Sequence, residues 1–341
     1  MDAGLGASLL DSYPHTIAVL DETGHIVWVN EAWREFGERN GLEPDSEPVG
    51  QNYLEAIDAT HDPYAQRVLE GLVAVLTGEE VTASEVIPCH GSDSLNWLRM
   101  RAFTVAFADE RYCLVAHEDV TSERIGALLT EGRQELADLL NEMLLHEVGN
   151  ALTSADGALA QFDGMTADES AMRRLTRAHD RIEQSIEAAR RLFRLIQHRP
   201  SFERHAIEEV ATTAWDALGR DAESLVVADQ FPIICSPVLA SALLKVLFDS
   251  PIRGADESRV TVRAGSREFY VDDARSDPVP ENPSNVFELS PVLDDGRYAF
   301  GLSLAKPLAH LHGWRISLDS SPAGGWRFVV RTEQPHRSES P

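Results

Sequence analysis

Lysine is almost missing from this sequence. Lys245 and Lys306 are the only two, so arginine supplies nearly all of the 30 basic residues, which face 56 acidic ones for a formal net charge of −26. A chain so short of positive charge has little with which to neutralise phosphates along a strand, and nucleic acid is excluded as a direct partner. Cysteine is scarce too. Cys89, Cys113 and Cys235 are odd in number, far apart and without a CxxC pair, which excludes a disulfide framework and a cysteine zinc site. No run of eighteen apolar residues occurs, and the opening MDAGLGASLLDSYPH has neither the basic start nor the long apolar core of a secretion signal. The expectation is a cytoplasmic protein with no membrane partner.

What is present is core-forming material for two or three domains, with 341 residues of which 43% are hydrophobic. The acid excess is spread over the whole chain, a pattern suited to multimolar salt. At ~1 M ionic strength the Debye length is only ~3 Å, so the self-repulsion that would loosen such a chain in dilute buffer is screened. A halophilic protein is the expectation.

The centre of the chain is the stretch from Glu135 to Phe162, where Leu140, Leu144, Val148, Ala151 and Ala155 recur at steps of three and four and define one apolar stripe of a long helix. His146 is two residues from both Leu144 and Val148, so at ~100° per residue it points away from that stripe, with Glu147 beside it and Asn150 one turn on. A second periodic segment, with Met172, Leu175, Ile182, Ile186, Ala189, Phe193 and Ile196 on one stripe, follows the polar break DGMTADES and stops at Arg199-Pro200. Two such helices make an antiparallel hairpin with more apolar face than it can cover. A homodimeric four-helix bundle with His146 on its outside is therefore expected over residues 125–200.

The block LLHEVGNALT resembles the H-box of sensor histidine kinases, with Leu145, His146, Glu147, Asn150 and Leu152 in register. The resemblance implies that His146 is the phosphoacceptor, that Glu147 orients or deprotonates its ring, and that Asn150 helps to position a water or the phosphate of a response-regulator receiver domain. The residue types suit that chemistry. A neutral imidazole offers a free nitrogen lone pair near neutral pH, and an adjacent carboxylate holds the proton on the other ring nitrogen.

Before the helices, residues 9–124 read as an α+β sheet. Strands at Thr16–Leu20 and His25–Val29 flank the turn Asp21-Glu22-Thr23-Gly24, Asn30 caps a helix, a further helix covers Ala65–Leu76, and strands follow at Val81–Ile87, Asn96–Phe107 and Arg111–Asp119. Trp28, Trp33, Trp97 and Phe103 read as core, and Cys89-His90 as a turn before a strand. This order, with IAVLDETGHIVWVNEAWREF at its start and Asp119 to Arg124 at its end, resembles the PAS domain, which implies a sensor whose ligand the sequence does not name.

After the hairpin, residues 201–333 read as an α/β sandwich, with a tail at 334–341 read as disordered. Helices are expected at Ile207–Leu218, Val238–Arg253 and Phe300–His312, and strands at Arg259–Ala264, Glu268–Asp272, Trp314–Leu318 and Trp326–Arg331. GLSLAKPLAHLHGWRISLDSSPAGGWRFVVR resembles the end of the histidine kinase ATP-binding domain. Gly301, Leu302 and Leu304 match its G2-box, Gly324-Gly325 its final turn, and LLKVLFDSPIRGA lies where the N-box belongs. The resemblance implies ATP and Mg2+ as cofactors, with Asp272 on adenine and with Ser250, Gly301 and Leu302 about the nucleotide. Ser250 would also be the magnesium ligand, in place of the family's asparagine.

The departures from the family pattern are Ser250-Pro251 for Asn-Ala, Val246 for a second asparagine, Asp272-Asp273-Ala274-Arg275-Ser276 for Asp-x-Gly-x-Gly, and Ala299 for the glycine two before Gly301. Glycines let backbone N–H groups approach phosphates, and side chains there obstruct. Three readings stay open on these residues. The chain is a two-component sensor kinase that autophosphorylates His146, a pseudokinase or phosphotransfer or phosphatase protein with no ATP-dependent activity of its own, or a non-catalytic PAS scaffold.

Overall fold

The computed structural model of the chain describes residues 8–39, 47–58, 63–91, 93–160, 169–249, 259–273, 278–288, 300–322 and 324–332. They fall into two compact units, the first running to Arg124 without Ser92–Ser94, and the second made of those three residues and Ile125 onward.

The first unit contains β1 (Thr16–Leu20), β2 (Ile26–Val29), α1 (Glu31–Arg39), α2 (Tyr53–Asp58), α3 (Pro63–Thr77), β3 (Thr82–Pro88), β4 (Trp97–Phe107) and β5 (Glu110–Asp119). The strands form one antiparallel sheet in the order β2-β1-β5-β4-β3. Strand alternation puts Ala18, Leu20, Met100, Ala102, Cys113 and Val115 on one face, where they meet Val68, Leu72 and Val75 of α3. The β1–β2 turn is built by Asp21, whose Oδ1 accepts from the N–H of Thr23 at 2.9 Å and of His25 at 3.0 Å, while Gly24 takes φ +87°. Asn30 caps α1, as its position suggests, through Oδ1 accepting from Trp33 N–H at 3.0 Å. The same Oδ1 also accepts from Ile17 N–H at 2.9 Å, and Nδ2 donates to the carbonyls of His15, Tyr13 and Leu10. Trp97 is core, whereas Phe103 is 37% exposed, because it points to the sheet face away from α3.

In the chain's middle, α4 runs from Thr121 to Leu159 and α5 from Glu169 to Gln197. α4 thus begins 14 residues before the stretch that opens at Glu135, through TSERIGALLTEG, a segment whose two glycines hide its helicity. Leu136, Met143, Ala151 and Ala158 of α4 and Ala178, Ser185 and Leu192 of α5 are buried. Leu145, Leu152 and Leu159, seven apart, remain 51–69% exposed, and so do Met172, Ile186 and Phe193 at 42–53%.

The rest of the second unit is the expected α/β sandwich. β7 (Leu225–Val227), β9 (Val260–Ala264), β10 (Glu268–Asp273), β11 (Arg315–Ser320) and β12 (Trp326–Arg331) form a sheet in the order β11-β12-β10-β9-β7. A separate pair joins β6 (Glu203–Ala206) to β8 (Pro232–Cys235). The helices are α6 (Ile207–Asp216), α7 (Pro237–Phe248), α8 (Phe300–Ser303) and α9 (Ala305–His310). Val262, Phe269, Val271, Phe328 and Val330 of the sheet share one buried cluster with Trp215, Leu243, Leu247 and Leu308 of the helices. α7 ends at Phe248 and not at Arg253, and the helix expected over Phe300–His312 is two, divided at Leu304. Ser250, Pro251, Ala274, Arg275, Ser276, Ala299 and the tail 334–341 lie outside the described residues.

Candidate functional site

His146 sits on the exposed side of α4, between Met143, which is 1% exposed, and Ala151, which is fully buried. The periodicity argument for its outward placement therefore holds, although the buried line is carried by Met143, Ala151 and Ala158 more than by Leu144 and Val148, which are half-buried. Asn150 is exposed on the same side one turn later, four residues being close to one turn. Glu147 lies in the helix, and its side chain falls outside the described ones. An imidazole on the outer side of a helix can be reached by a second domain or a second protein, which a reversible phosphate carrier requires.

The C-terminal candidates divide by strand parity. Phe269, Val271 and Asp273 of β10 share the face that packs on the helices, and all three are at most 1% exposed. Glu268, Tyr270 and Asp272 share the opposite face. There Arg327 of β12 donates Nε to Asp272 Oδ1 at 2.6 Å and Nη2 to Oδ2 at 2.7 Å, and Arg263 of β9 lies 3.5 Å from Oδ2. Hydrogen bonding to Asp272 holds the Arg327 guanidinium above its already high range. Asp272 is thus neutralised on the outer face of the sheet, and it does not fit the role of meeting a base between sheet and helices. Asp273 is on the inner face. Leu302 is 3% exposed within the core beneath α8, and Gly301 lies in the same short helix. The inner placement of Asp273 could have been read from the sequence by continuing the alternation of Phe269 and Val271.

The first unit holds a buried polar set that the sequence did not announce. His117 of β5 places Nδ1 3.0 Å from Thr16 Oγ1 and Nε2 3.3 Å from the Tyr53 hydroxyl, with the Trp33 ring 5.4 Å away. Burial pushes its pKa down to about 4 and holds the Tyr53 hydroxyl well above its ordinary range. Both ring nitrogens have a hydroxyl partner, so the set reads as a neutral histidine locked into the core. Cys89, Cys113 and Cys235 form no disulfide, and burial pushes the thiol of Cys113 to about 11 and that of Cys235 to about 12. Among the described residues no group of three or more His, Cys, Asp or Glu side chains could hold a metal ion, and no helix is long and apolar enough to cross a membrane.

These features place the N-terminal unit in a class. Residues 10–125 match the family described as PAS fold, the boundaries of which coincide with the five-stranded sheet and its helices. A stretch of 101 residues is 35% identical to an uncharacterised 104.1 kDa protein of Rhodobacter capsulatus, covering 28% of this chain and 10% of that one, so the chain spans about a tenth of that relative's length. Among solved structures, the histidine kinase ThkA in complex with the response regulator protein TrrA is 15% identical with a TM-score of 0.44, covering 98% of this chain and 99% of that one. The ATP binding domain of PrrB from Mycobacterium tuberculosis is 26% identical with a TM-score of 0.32, covering 40% of this chain and 99% of that one. Both superpositions are weak, and the roles of individual residues rest on their own geometry.

Proposed function

We propose that this chain is a sensor protein-histidine kinase of the two-component type. In this reading the PAS unit receives a signal, His146 takes a phosphoryl group, and a response-regulator receiver aspartate removes it. The observation that carries the reading is the exposed imidazole of His146 on a helical hairpin whose remaining apolar positions are buried or aligned for a partner. The exposed seven-residue repeat of Leu145, Leu152 and Leu159, together with exposed Met172, Ile186 and Phe193 on α5, supports a homodimer that closes a four-helix bundle around these side chains.

Bound ATP would supply the γ-phosphoryl group. Of the two acidic residues ending β10, Asp273 would meet the base in this reading, a role supported by its burial on the inner face while Asp272 is held by Arg327. Magnesium falls to Ser250, whose hydroxyl is a poorer ligand than an amide carbonyl. His146 attacks through the ring nitrogen that carries no proton, and Glu147 beside it in sequence would hold the proton on the other.

Incubation of the full chain with labelled MgATP in high KCl tests this. Wild type should become labelled and His146→Gln should not. A second reading, a pseudokinase that exchanges phosphate with receivers, is favoured by the absence of glycine from positions 274–277, which holds whether Asp272 or Asp273 begins the motif. It would show as label acquired from a phosphorylated receiver and none from ATP. No label from either source would remove both.

A further inference from the structure

We propose that Lys245 is the phosphate-binding residue of the nucleotide site, and that through it the second unit binds ATP without magnesium. The inference rests on the nucleotide reading of this domain and deepens it.

The donor set at the end of α7 fits a magnesium ion badly. Magnesium demands a near-ideal octahedron of oxygens and is held through one or two carboxylates beside the phosphates. Val246 has no oxygen to give, and Ser250 has one hydroxyl. The carboxylate next to Ser250 is that of Asp249, the C-cap of α7, and it is already held, since Arg220 donates Nη2 to Asp249 Oδ1 at 2.6 Å. Arg220 is itself anchored, with its guanidinium 5.7 Å from the centre of the Trp215 ring. Trp215 is 2% exposed and donates Nε1 to the Asp221 carbonyl at 2.8 Å.

The same ion pair leaves a cation over. Lys245 is one turn before Asp249, whose backbone N–H donates to the Lys245 carbonyl at 2.8 Å. Residues four apart on a helix are neighbours, and opposite charges there attract. Here Arg220 takes the carboxylate. Lys245 forms no ion pair with any described residue, in a chain where acids outnumber bases by 26. The ion pairs among the described residues are made by arginine and histidine. Lys306, the other lysine, has its ammonium 5.4 Å from the centre of the Phe287 ring. An ammonium on a flexible stem is a point charge suited to phosphate, whereas the guanidinium fork suits planar carboxylates such as Asp272.

Val238, Ala242, Lys245 and Asp249 recur at steps of three and four and make up the open side of α7. The opposite side of the helix, through Leu243 and Leu247, shares one buried cluster with Phe269 and Val271, on the sheet face that carries Asp273. Asp273 would hold the base and Lys245 the phosphates, and Arg220 is a positioning residue that keeps Asp249 off the ammonium.

Calorimetric titration of the full chain in molar KCl tests the site, with ATP and adenosine as probes, in EDTA and in magnesium. ATP affinity should agree within about twofold between the two buffers. Lys245→Gln should weaken ATP by at least about tenfold and leave adenosine unchanged, which also shows the variant to be folded. Arg220→Gln releases Asp249 onto Lys245 and should weaken ATP as well. Arg220→Gln/Asp249→Asn should restore ATP affinity, which a merely structural ion pair would not do. ATP binding that requires magnesium, or that is unchanged in Lys245→Gln, overturns the proposal and keeps the nucleotide reading. Binding of neither ATP nor adenosine in either buffer removes the nucleotide reading and the site with it.

Discussion

Arg327 closes its guanidinium fork on Asp272, Nε to Oδ1 at 2.6 Å and Nη2 to Oδ2 at 2.7 Å, across adjacent antiparallel strands in register. The pair ties two strands together on the outer face of the sheet, while the neighbouring Asp273 faces the helices. Asp272→Asn should therefore lower stability by about 1–2 kcal/mol through loss of the bidentate ion pair and leave nucleotide affinity unchanged. Asp273→Asn should abolish nucleotide binding with little change in melting temperature. Titration of each variant with a fluorescent ATP analogue, beside thermal melts, separates the two. Equal losses of affinity would count against the assignment.

Acid should destabilise both units. His117 in the first and His312 in the second are each held down to about 4 by burial, His312 despite opposing hydrogen bonds to the Leu308 and Ser236 backbone. Above the ordinary histidine pKa of about 6.5, folded and unfolded chains both carry neutral rings and the penalty is absent. As pH falls from about 6.5 to about 4, the unfolded chain takes up protons that the folded chain refuses, and stability drops by about 3 kcal/mol per histidine. Chemical denaturation followed at several pH values should show this slope, and His312→Phe should flatten it for the second unit alone.

The β4–β5 connection places Ala108 at φ 52° and Asp109 at φ 69° between Phe107 and Glu110, a two-residue turn of the left-handed kind. Neither residue suits that backbone as asparagine and glycine do. Ala108→Asn/Asp109→Gly should raise the stability of the first unit by about 1 kcal/mol, which a shift in denaturation midpoint at constant slope would register.

Leucine at 145, 152 and 159 is too exposed for a hairpin that works alone. Leu152→Glu/Ile186→Glu should convert a dimer into a monomer in light scattering at micromolar concentration while circular dichroism keeps its helical signal. A wild-type monomer under the same conditions would end the bundle proposal.

The net charge of −26 sets the last expectation. Transfer from molar KCl to dilute buffer should cost the native circular dichroism spectrum as self-repulsion loses its screening. A cooperative fold kept at low salt would mark the acidity as incidental.

Much of this architecture could be read from residues alone, for identifiable reasons. The β1–β2 hairpin announced itself through Asp21 and Gly24, and the outward placement of His146 through its distance from Leu144 and Val148. β6, β7 and β8 escaped notice because each is three or four residues long, too short for alternation to register. Asn30 was legible as a cap but not as the acceptor for Ile17, because that bond crosses to another strand. His117 gave no signal, since its partners Thr16 and Tyr53 come from 101 and 64 positions away. The contact of His310 with Glu131 and Glu135 spans still more chain, and only folding brings its parts together.

Gly132 carries a consequence of its own for the mechanics of α4. In a free helix a glycine costs about 1 kcal/mol relative to alanine, and among the four glycines of α4 this is the one against which Leu311 packs. With Leu311 seated there, the weak position is splinted by its cargo.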